Sequence, residues 1–401
     1  MNVSIITLRN PRMNKINSST IEELINTDIS MFIQVLLGSG RILDDYKVVG
    51  WEYNQRGKPG PRSVNCSSFM NTKEVMIQAV DLNIKLMKWR EWPELDTEKL
   101  SRTKCLLFGA GTLGCGVARC LLGYGVKNIT FVDNGRVSYS NPVRQSLFEF
   151  EDCGNPKALA ASNRLKKIYP GIESTGIVLT LPMPGHAFPL SNDSENEEAI
   201  ASIKKVDELV QSHDICFALT DSREARWLPT MLCAAYDKLL INAALGFDSY
   251  LIMRHGSGDF EDKTRLGCYY CQDIVAATNS QRNRSIDQQC TVTRPGISAI
   301  ASGLAVEMMV SILHSSTDTD HHIPHQIRGS VYSFNQDILR TPSFSCCTAC
   351  SLPIVEAYQN QGPDFIINVC NDPNILESMS GIEKITNDID LKLCIDSDDE
   401  F

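Results

Sequence analysis

Four apolar residues, Cys105–Phe108, run straight into Gly109-Ala110-Gly111-Thr112-Leu113-Gly114, and from Leu113 to Tyr124 apolar residues recur at helical spacing. A buried strand that turns at once into a helix needs residues without a Cβ at the turn. The turn leaves backbone N–H groups and the positive end of the helix facing outward. A second apolar strand, Asn128–Val132, ends at Asp133. That acid stands about 20 residues past the loop, the distance at which a carboxylate meets a ribose. Together these features predict a nucleotide-binding α/β domain. The loop by itself leaves open ATP, a nicotinamide cofactor, or a glycine turn that only packs helix on strand.

The strand–helix alternation continues with strands at Asp214–Leu219 and Leu239–Asn242. Buried strands alternating with helices predict a Rossmann-like, doubly wound, mostly parallel sheet with helices on both faces. Helices are expected over Met76–Trp92 and Pro295–Leu313, and an amphipathic one over Ile21–Leu37. Residues 47–63 read as a short strand followed by a Gly/Pro-rich loop, and Ser191–Glu198 as an acidic surface loop. The expected organisation is an N-terminal region and linker (1–95), a catalytic domain (96–350) and a short helical extension with an acidic tail at 396–400 (351–401). Hydrophobic residues make up 43% of the 401, enough for a sizeable core, and charged residues 21%. The net charge of -10 argues against nucleic-acid and membrane-surface binding, which favour basic patches. No apolar run is expected to reach the roughly 20 residues of a membrane span. The N-terminus shows no signal-peptide pattern, so the cytoplasm is the expected compartment.

Past Asp133 come Asn141-Pro-Val-Arg144-Gln145 and, in Gly-Asn-Pro-Lys-Ala, Lys157. A nicotinamide site has little use for two cations aimed at its phosphates. A triphosphate attacked at its α-phosphorus does, because cations stabilise the charge that builds in the transition state. Asp221, just past the strand ending at Leu219, lies where such sheets bind ligands at their carboxyl ends. It suits magnesium, or an N-cap for a helix over Ser222–Tyr236, and the two roles can coexist. This constellation resembles the adenylation site of the ubiquitin-activating-type enzymes, a superfamily that includes the bacterial thiamine- and molybdopterin-biosynthesis adenylyltransferases. The resemblance implies that Gly109, Gly111 and Gly114 cradle ATP and that Asp133 holds its ribose. It assigns Asn141, Arg144, Gln145 and Lys157 to the phosphates, Arg144 among the catalytic groups, and Asp221 to the magnesium.

Fifteen cysteines are too sparse over this length for a secreted disulfide scaffold. Cys105, Cys115, Cys120, Cys216 and Cys233 lie in apolar stretches and read as small buried hydrophobes. Cys268-Tyr-Tyr-Cys271 and Cys347-Thr-Ala-Cys350 form two CxxC pairs, a complete four-thiolate set for structural zinc. Neither pair opens a helix after a first strand, which disfavours a redox role. Cys346 has no CxxC partner and is left out.

Cys290 stands apart, in Asp-Gln-Gln-Cys-Thr-Val-Thr-Arg-Pro-Gly. Arg282, Arg284 and Arg294 lie near it in sequence, and a helix starting near Pro295 adds its dipole; both favour a thiolate. The order of adenylation loop, first CxxC, Cys-Thr-Val-Thr-Arg-Pro-Gly and second CxxC resembles the autophagy branch of the ubiquitin-like-modifier-activating enzymes. The likeness runs from about Gly50-Trp-Glu to the acidic C-terminus. It implies ATP-dependent adenylation of autophagy modifiers ending in glycine, a thioester on Cys290, transfer to conjugating enzymes, and a homodimer. It also implies action in the cytoplasm, at the pre-autophagosomal structure. Ala357-Tyr-Gln-Asn and Asp364-Phe-Ile-Ile resemble the extension that captures the modifier. Only the residues before Gly50 precede the likeness, too few for the domain with which that family recruits conjugating enzymes. The expectation is a shortened N-terminus with adenylation and thioester formation retained and transfer impaired. The competing readings are a modifier-binding or dimerisation module without turnover and, on the glycine loop alone, a nicotinamide oxidoreductase.

Overall fold

The computed structural model describes strands within residues 3–65, then residues 72–188, 193–280 (except 257, 261 and 263), 292–315 and 322–385. The chain divides into two compact units, Met1–Asn83 and Ile84–Phe401. The first holds an antiparallel sheet of β1 (Val3–Ile6), β2 (Ile33–Leu36), β3 (Lys47–Tyr53) and β4 (Pro59–Asn65), in that order. Two expectations change here. Ile33–Leu36 is a strand rather than the end of a helix, and residues 21–32 lie outside the described residues. The Gly/Pro-rich stretch is β4 itself, in register with β3 from Lys47↔Asn65 to Tyr53↔Pro59. Proline is tolerated there because β4 ends the order of this sheet, and an edge strand has N–H positions that need no partner. Helix α1 (Thr72–Arg90) follows.

The second unit begins with α2 (Thr97–Arg102), β5 (Lys104–Phe108), α3 (Thr112–Gly123), β6 (Asn128–Val132), α4 (Lys157–Ile168) and β7 (Glu173–Ile177). It continues with α5 (Asp193–Ser212), β8 (Ile215–Ala218), α6 (Trp227–Ala235), β9 (Leu239–Leu245), β10 (Ser249–His255) and α7 (Pro295–His314). Then come β11 (Gln326–Ser330), β12 (Asn335–Leu339), α8 (Leu352–Gln361), α9 (Pro363–Asn371) and α10 (Asn374–Ser380). One eight-stranded sheet runs β12-β11-β10-β9-β8-β5-β6-β7. Strands β7, β6, β5, β8 and β9 are parallel, while β10, β11 and β12 extend the sheet antiparallel. The doubly wound expectation holds, with an antiparallel flank added.

On one face, α7 packs against α3, β9 and β10. A Cβ on Gly116 would come within 2.4 Å of Ser302 Oγ, so the α3–α7 crossing needs glycine. Helix α7 is, by length and composition, apolar enough to cross a membrane, contrary to expectation, but half of it is buried in the fold as a core helix. A second core gathers Ile203, Val206 and Val210 of α5, Trp227 and Met231 of α6, and Ile354 and Phe365 of the C-terminal helices. The expected acidic loop at Ser191–Glu198 is helix from Asp193 onward; acidic residues favour the first turns of a helix as readily as a loop. The C-terminal helices are tied to the body at Asp207, whose Oδ1 accepts from both Tyr236 and Tyr358 hydroxyls at 2.6 Å. The acidic tail lies outside the described residues.

Candidate active site

Strand order reverses between β5 and β8: β6 and β7 lie on one side, β9 on the other. At such a switch point the crevice beyond the carboxyl ends of the strands binds ligands. The glycine loop leaves β5 there. Gly109 has φ +112°, and a Cβ on it would press against the Leu219 carbonyl at 3.1 Å, at the end of β8. A Cβ on Gly114 would meet Gly109 O at 2.1 Å. These two glycines answer to the chain's own packing. A Cβ on Gly111, at the N-cap of α3, would meet nothing within 4 Å, so that glycine leaves room for an outside group.

Asp133, at the end of β6, accepts from Ala110 N and Gly135 N at 2.7 Å each, joining the second strand to the loop. Each carboxylate oxygen keeps a further lone pair for a ligand. Asn141 is buried, and its Oδ1 accepts from Ser138 N at 3.0 Å. Its carbonyl accepts from Arg144 N and Gln145 N, so the Asn-Pro-Val-Arg-Gln run is a tight turn. Gln145 is buried, with its Oε1 unpartnered. Arg144 is exposed and reaches back so that Nη1 donates to Thr112 Oγ1 at 2.9 Å, at the mouth of the glycine loop. Lys157 opens α4, with its N–H donating to Gly135 O, and its stem passes near Gly135 and Asp133. Arg164 steadies this region, pairing with Glu149 at 2.5 Å and Asp152 at 3.1 Å.

Asp221 is exposed just past β8. It does not cap a helix over Ser222–Tyr236. A short 3-10 turn, Glu224–Arg226, precedes α6, and Ser222 Oγ accepts from Ala225 N instead. The Asp221 carboxylate is therefore not taken up as a helix cap. Buried Thr220 Oγ1, one residue before, is unpartnered. Unpaired buried polar atoms are uncommon, and this one lies just past the carboxyl end of β8.

Two residues carry weight that sequence reading missed, although Asp-Ser-Arg-Glu-Ala-Arg was in view. Arg226 is buried; Nη1 donates to Ala218 O, Asn242 Oδ1 and Ala243 O, and Nη2 to Thr220 O. It locks the carboxyl ends of β8 and β9. Glu224, 1% exposed, accepts from Ser280 N and Oγ at 3.1 and 2.9 Å. An arginine and a glutamate in so polar a run give no signal of burial.

Cys290 lies outside the described residues, as do Arg282 and Arg284. Its described flanks are both held. Ser280 is on Glu224, and Arg294 N donates to Phe247 O at 2.9 Å before α7 starts at Pro295. A cavity of about 770 Å³ lies against the antiparallel strands, with Arg223, Tyr250, Tyr269, Arg328 and Asp337 in its wall.

Cys268, Cys271, Cys347 and Cys350 come together, every Sγ within 4.8 Å of the others. Cys268–Cys347 and Cys271–Cys350 are 3.5 Å apart, and Cys268–Cys271 3.7 Å. Tetrahedral zinc with Zn–S of about 2.3 Å sets its sulfurs about 3.8 Å apart, so the set fits that ion. Backbone N–H groups of Tyr270, Phe344 and Ala349 point at these sulfurs. Hydrogen bonds from the other thiols, Cys268 first, hold Cys271 far below the usual thiol range, while burial pushes Cys268 and Cys347 up. Cys346 is half-buried outside the set. Of the cysteines expected in the core, Cys105, Cys115, Cys216 and Cys233 are buried and Cys120 half-buried. Burial pushes the Cys115 thiol up to about 12, so it is inert.

The chain is 49% identical over 352 residues to the ubiquitin-like modifier-activating enzyme ATG7 of Saccharomyces cerevisiae, covering 86% of this chain and 55% of that protein. It is 46% identical over 383 residues to the ATG7 of Rattus norvegicus, covering 84% and 55%. It thus spans about half the length of these curated relatives. Among solved structures, the microcin C7 biosynthetic enzyme MccB in complex with N-formylated MccA shares the fold. The TM-score is 0.50 at 18% identity, covering 69% of this chain and 75% of that one. Residues 82–350, from the last turns of α1 through the glycine loop to the fourth zinc-type cysteine, match the ThiF family, and the chain belongs to it.

Proposed function

We propose that this chain activates a ubiquitin-like modifier ending in glycine, first as an acyl-adenylate and then as a thioester on Cys290. The observation that carries the first step is the bond from Arg144 to Thr112. It brings a cation onto the mouth of a glycine loop at the switch point of the sheet. ATP would be held by the glycine loop, where Gly111 leaves space, with Arg144 and Lys157 available to its phosphates and Asp221 to magnesium. The modifier's C-terminal carboxylate attacks the α-phosphorus, and pyrophosphate leaves. Arg144 and Lys157 stabilise the negative charge that builds on the phosphates. The Cys290 thiolate then attacks the acyl carbon, forming the thioester and releasing AMP.

The names of the curated relatives support the substrate class, and the modifiers of autophagy are the members proposed. A conjugating enzyme that accepts the thioester and a second copy of the chain are the proposed protein partners. The proposed setting is the cytoplasm, at the pre-autophagosomal structure. Zinc on Cys268, Cys271, Cys347 and Cys350 would clip the C-terminal part to the sheet; with all four positions filled by thiolates it takes no part in the reaction. The apolar side chains of Tyr358, Phe365, Ile366 and Ile367 are buried, so within the extension they fix helices α8 and α9 rather than contact a modifier. No observation favours a binding module without turnover.

The test combines the protein, magnesium-ATP and glycine-terminated autophagy modifier. Modifier-dependent pyrophosphate exchange and an adduct lost on adding thiol are expected. Modifier binding without exchange would refute the proposal.

A further inference from the structure

Arg265 is only 6% exposed. Its Nη1 donates to the carbonyl of Cys350 at 3.2 Å, and its guanidinium sits 4.0 Å from the centre of the Phe260 ring. Its Nε is buried without a partner. Among the described residues it makes no ion pair. The acid in its own turn, Asp262, accepts the N–H and hydroxyl of Thr264. A buried guanidinium without an anion is costly, and proteins do not keep such groups uncompensated.

The missing anion has a source beside it. Four thiolates on a divalent zinc leave a net charge of about -2, and Cys350 is one of the four. Two histidines also lie close: His255, buried with both ring nitrogens unpartnered and kept neutral by that burial, and His325. The Nε2 of His325 lies 2.8 Å from Gly267 O and its Nδ1 accepts from Thr341 N at 3.1 Å. One donor and one acceptor is the pattern of neutral imidazole, so His325 braces the first cysteine pair without bringing charge.

We propose that Arg265 is the counter-charge of a zinc–tetrathiolate centre, a positioning residue that offsets part of the cluster's negative charge and holds the Cys350 backbone for the ion. The inference rests on the zinc reading above and adds to it the residue that keeps the metal in place. A buried cation beside the cluster offsets its excess negative charge, and its bond to the Cys350 carbonyl keeps that ligand in place.

The test uses the full chain and measures zinc content and the rate of zinc transfer to a chromogenic chelator in wild type, Arg265→Lys, Arg265→Gln and Arg265→Met. Gln keeps a donor for Cys350, Met keeps an apolar stem over Phe260, and both remove the charge. The expected result is one zinc per chain in wild type. Release should be about 10-fold faster in Gln and Met, the lower end for loss of a ligand-supporting group, and close to wild type in Lys. Far-UV circular dichroism checks the fold of each variant, and either uncharged variant suffices if the other does not accumulate. Wild-type release from Gln or Met overturns the proposal, as does Lys releasing as fast as they do. A wild-type chain without zinc refutes the zinc reading itself, a separate outcome read from metal content alone.

Discussion

The carboxyl edge of the sheet and the cysteine cluster differ in what their chemical groups face. At the edge, Arg144 and Asp221 are exposed, and Gln145 Oε1 and Thr220 Oγ1 are buried without partners. In the cluster, four thiols face one another and backbone N–H groups point at their sulfurs. Charged groups exposed at an edge can meet a ligand from outside, whereas thiols that face one another hold two parts of the chain together. The two should therefore fail differently when altered.

The largest effect is expected at the nucleophile. Cys290→Ser should keep pyrophosphate exchange and replace the thiol-labile adduct with a stable oxyester. A thiol-sensitive adduct that persists in this variant would move the nucleophile elsewhere. Next comes Arg144→Ala, expected to lower modifier-dependent exchange by about 10²–10³-fold, the range for removing one group that stabilises transition-state charge. Because Arg144 is exposed, its thermal midpoint should stay near wild type. A large drop in midpoint would mean that the Thr112 bond serves the fold.

The cluster should show the reverse. Cys350→Ser, or stripping the metal with a chelator, is expected to cost about 4 kcal/mol of stability, the scale on which loss of a bound metal acts. Exchange per folded molecule should persist. Loss of exchange while the fold remains would break the contrast, because the cluster would then be shaping the crevice. The smallest effect is expected from Tyr358→Phe, which removes one of two hydroxyls from Asp207 Oδ1. About 1 kcal/mol is expected, read in urea unfolding, with exchange unchanged.

Much of this was legible along the chain. The glycine loop, Asp133 and the CxxC pairs each act over a few residues, where backbone geometry or ligand spacing constrains residue type. Four of the five parallel strands were legible because burial on both faces demands continuous apolar runs; β7, Glu-Ser-Thr-Gly-Ile at the sheet edge, has none and was missed. The antiparallel flank was less so: β12, Asn335–Leu339, is exposed along its length, and its apolar Ile338 and Leu339 stand side by side without strand alternation. Strand β4 was hidden by glycine and proline, which read as loop yet suit an edge.

By itself the sequence determined which groups are at hand: a glycine turn between strand and helix, two cations and an acid that follow it along the chain, two CxxC pairs, and one cysteine in a basic stretch. Those follow from residue type and short spacing. Tertiary structure decided which of them meet. It set Arg144 against Thr112 across 32 residues, and it brought Cys268 and Cys347 to 3.5 Å across 79. It buried Arg226 and Glu224 out of a run that reads as solvent-exposed. It also gave the capping of the turn after β8 to Ser222 rather than Asp221. Such pairings depend on strand order and helix packing. Local pattern cannot specify them, because the same polar residues are equally at home in water until the fold removes it.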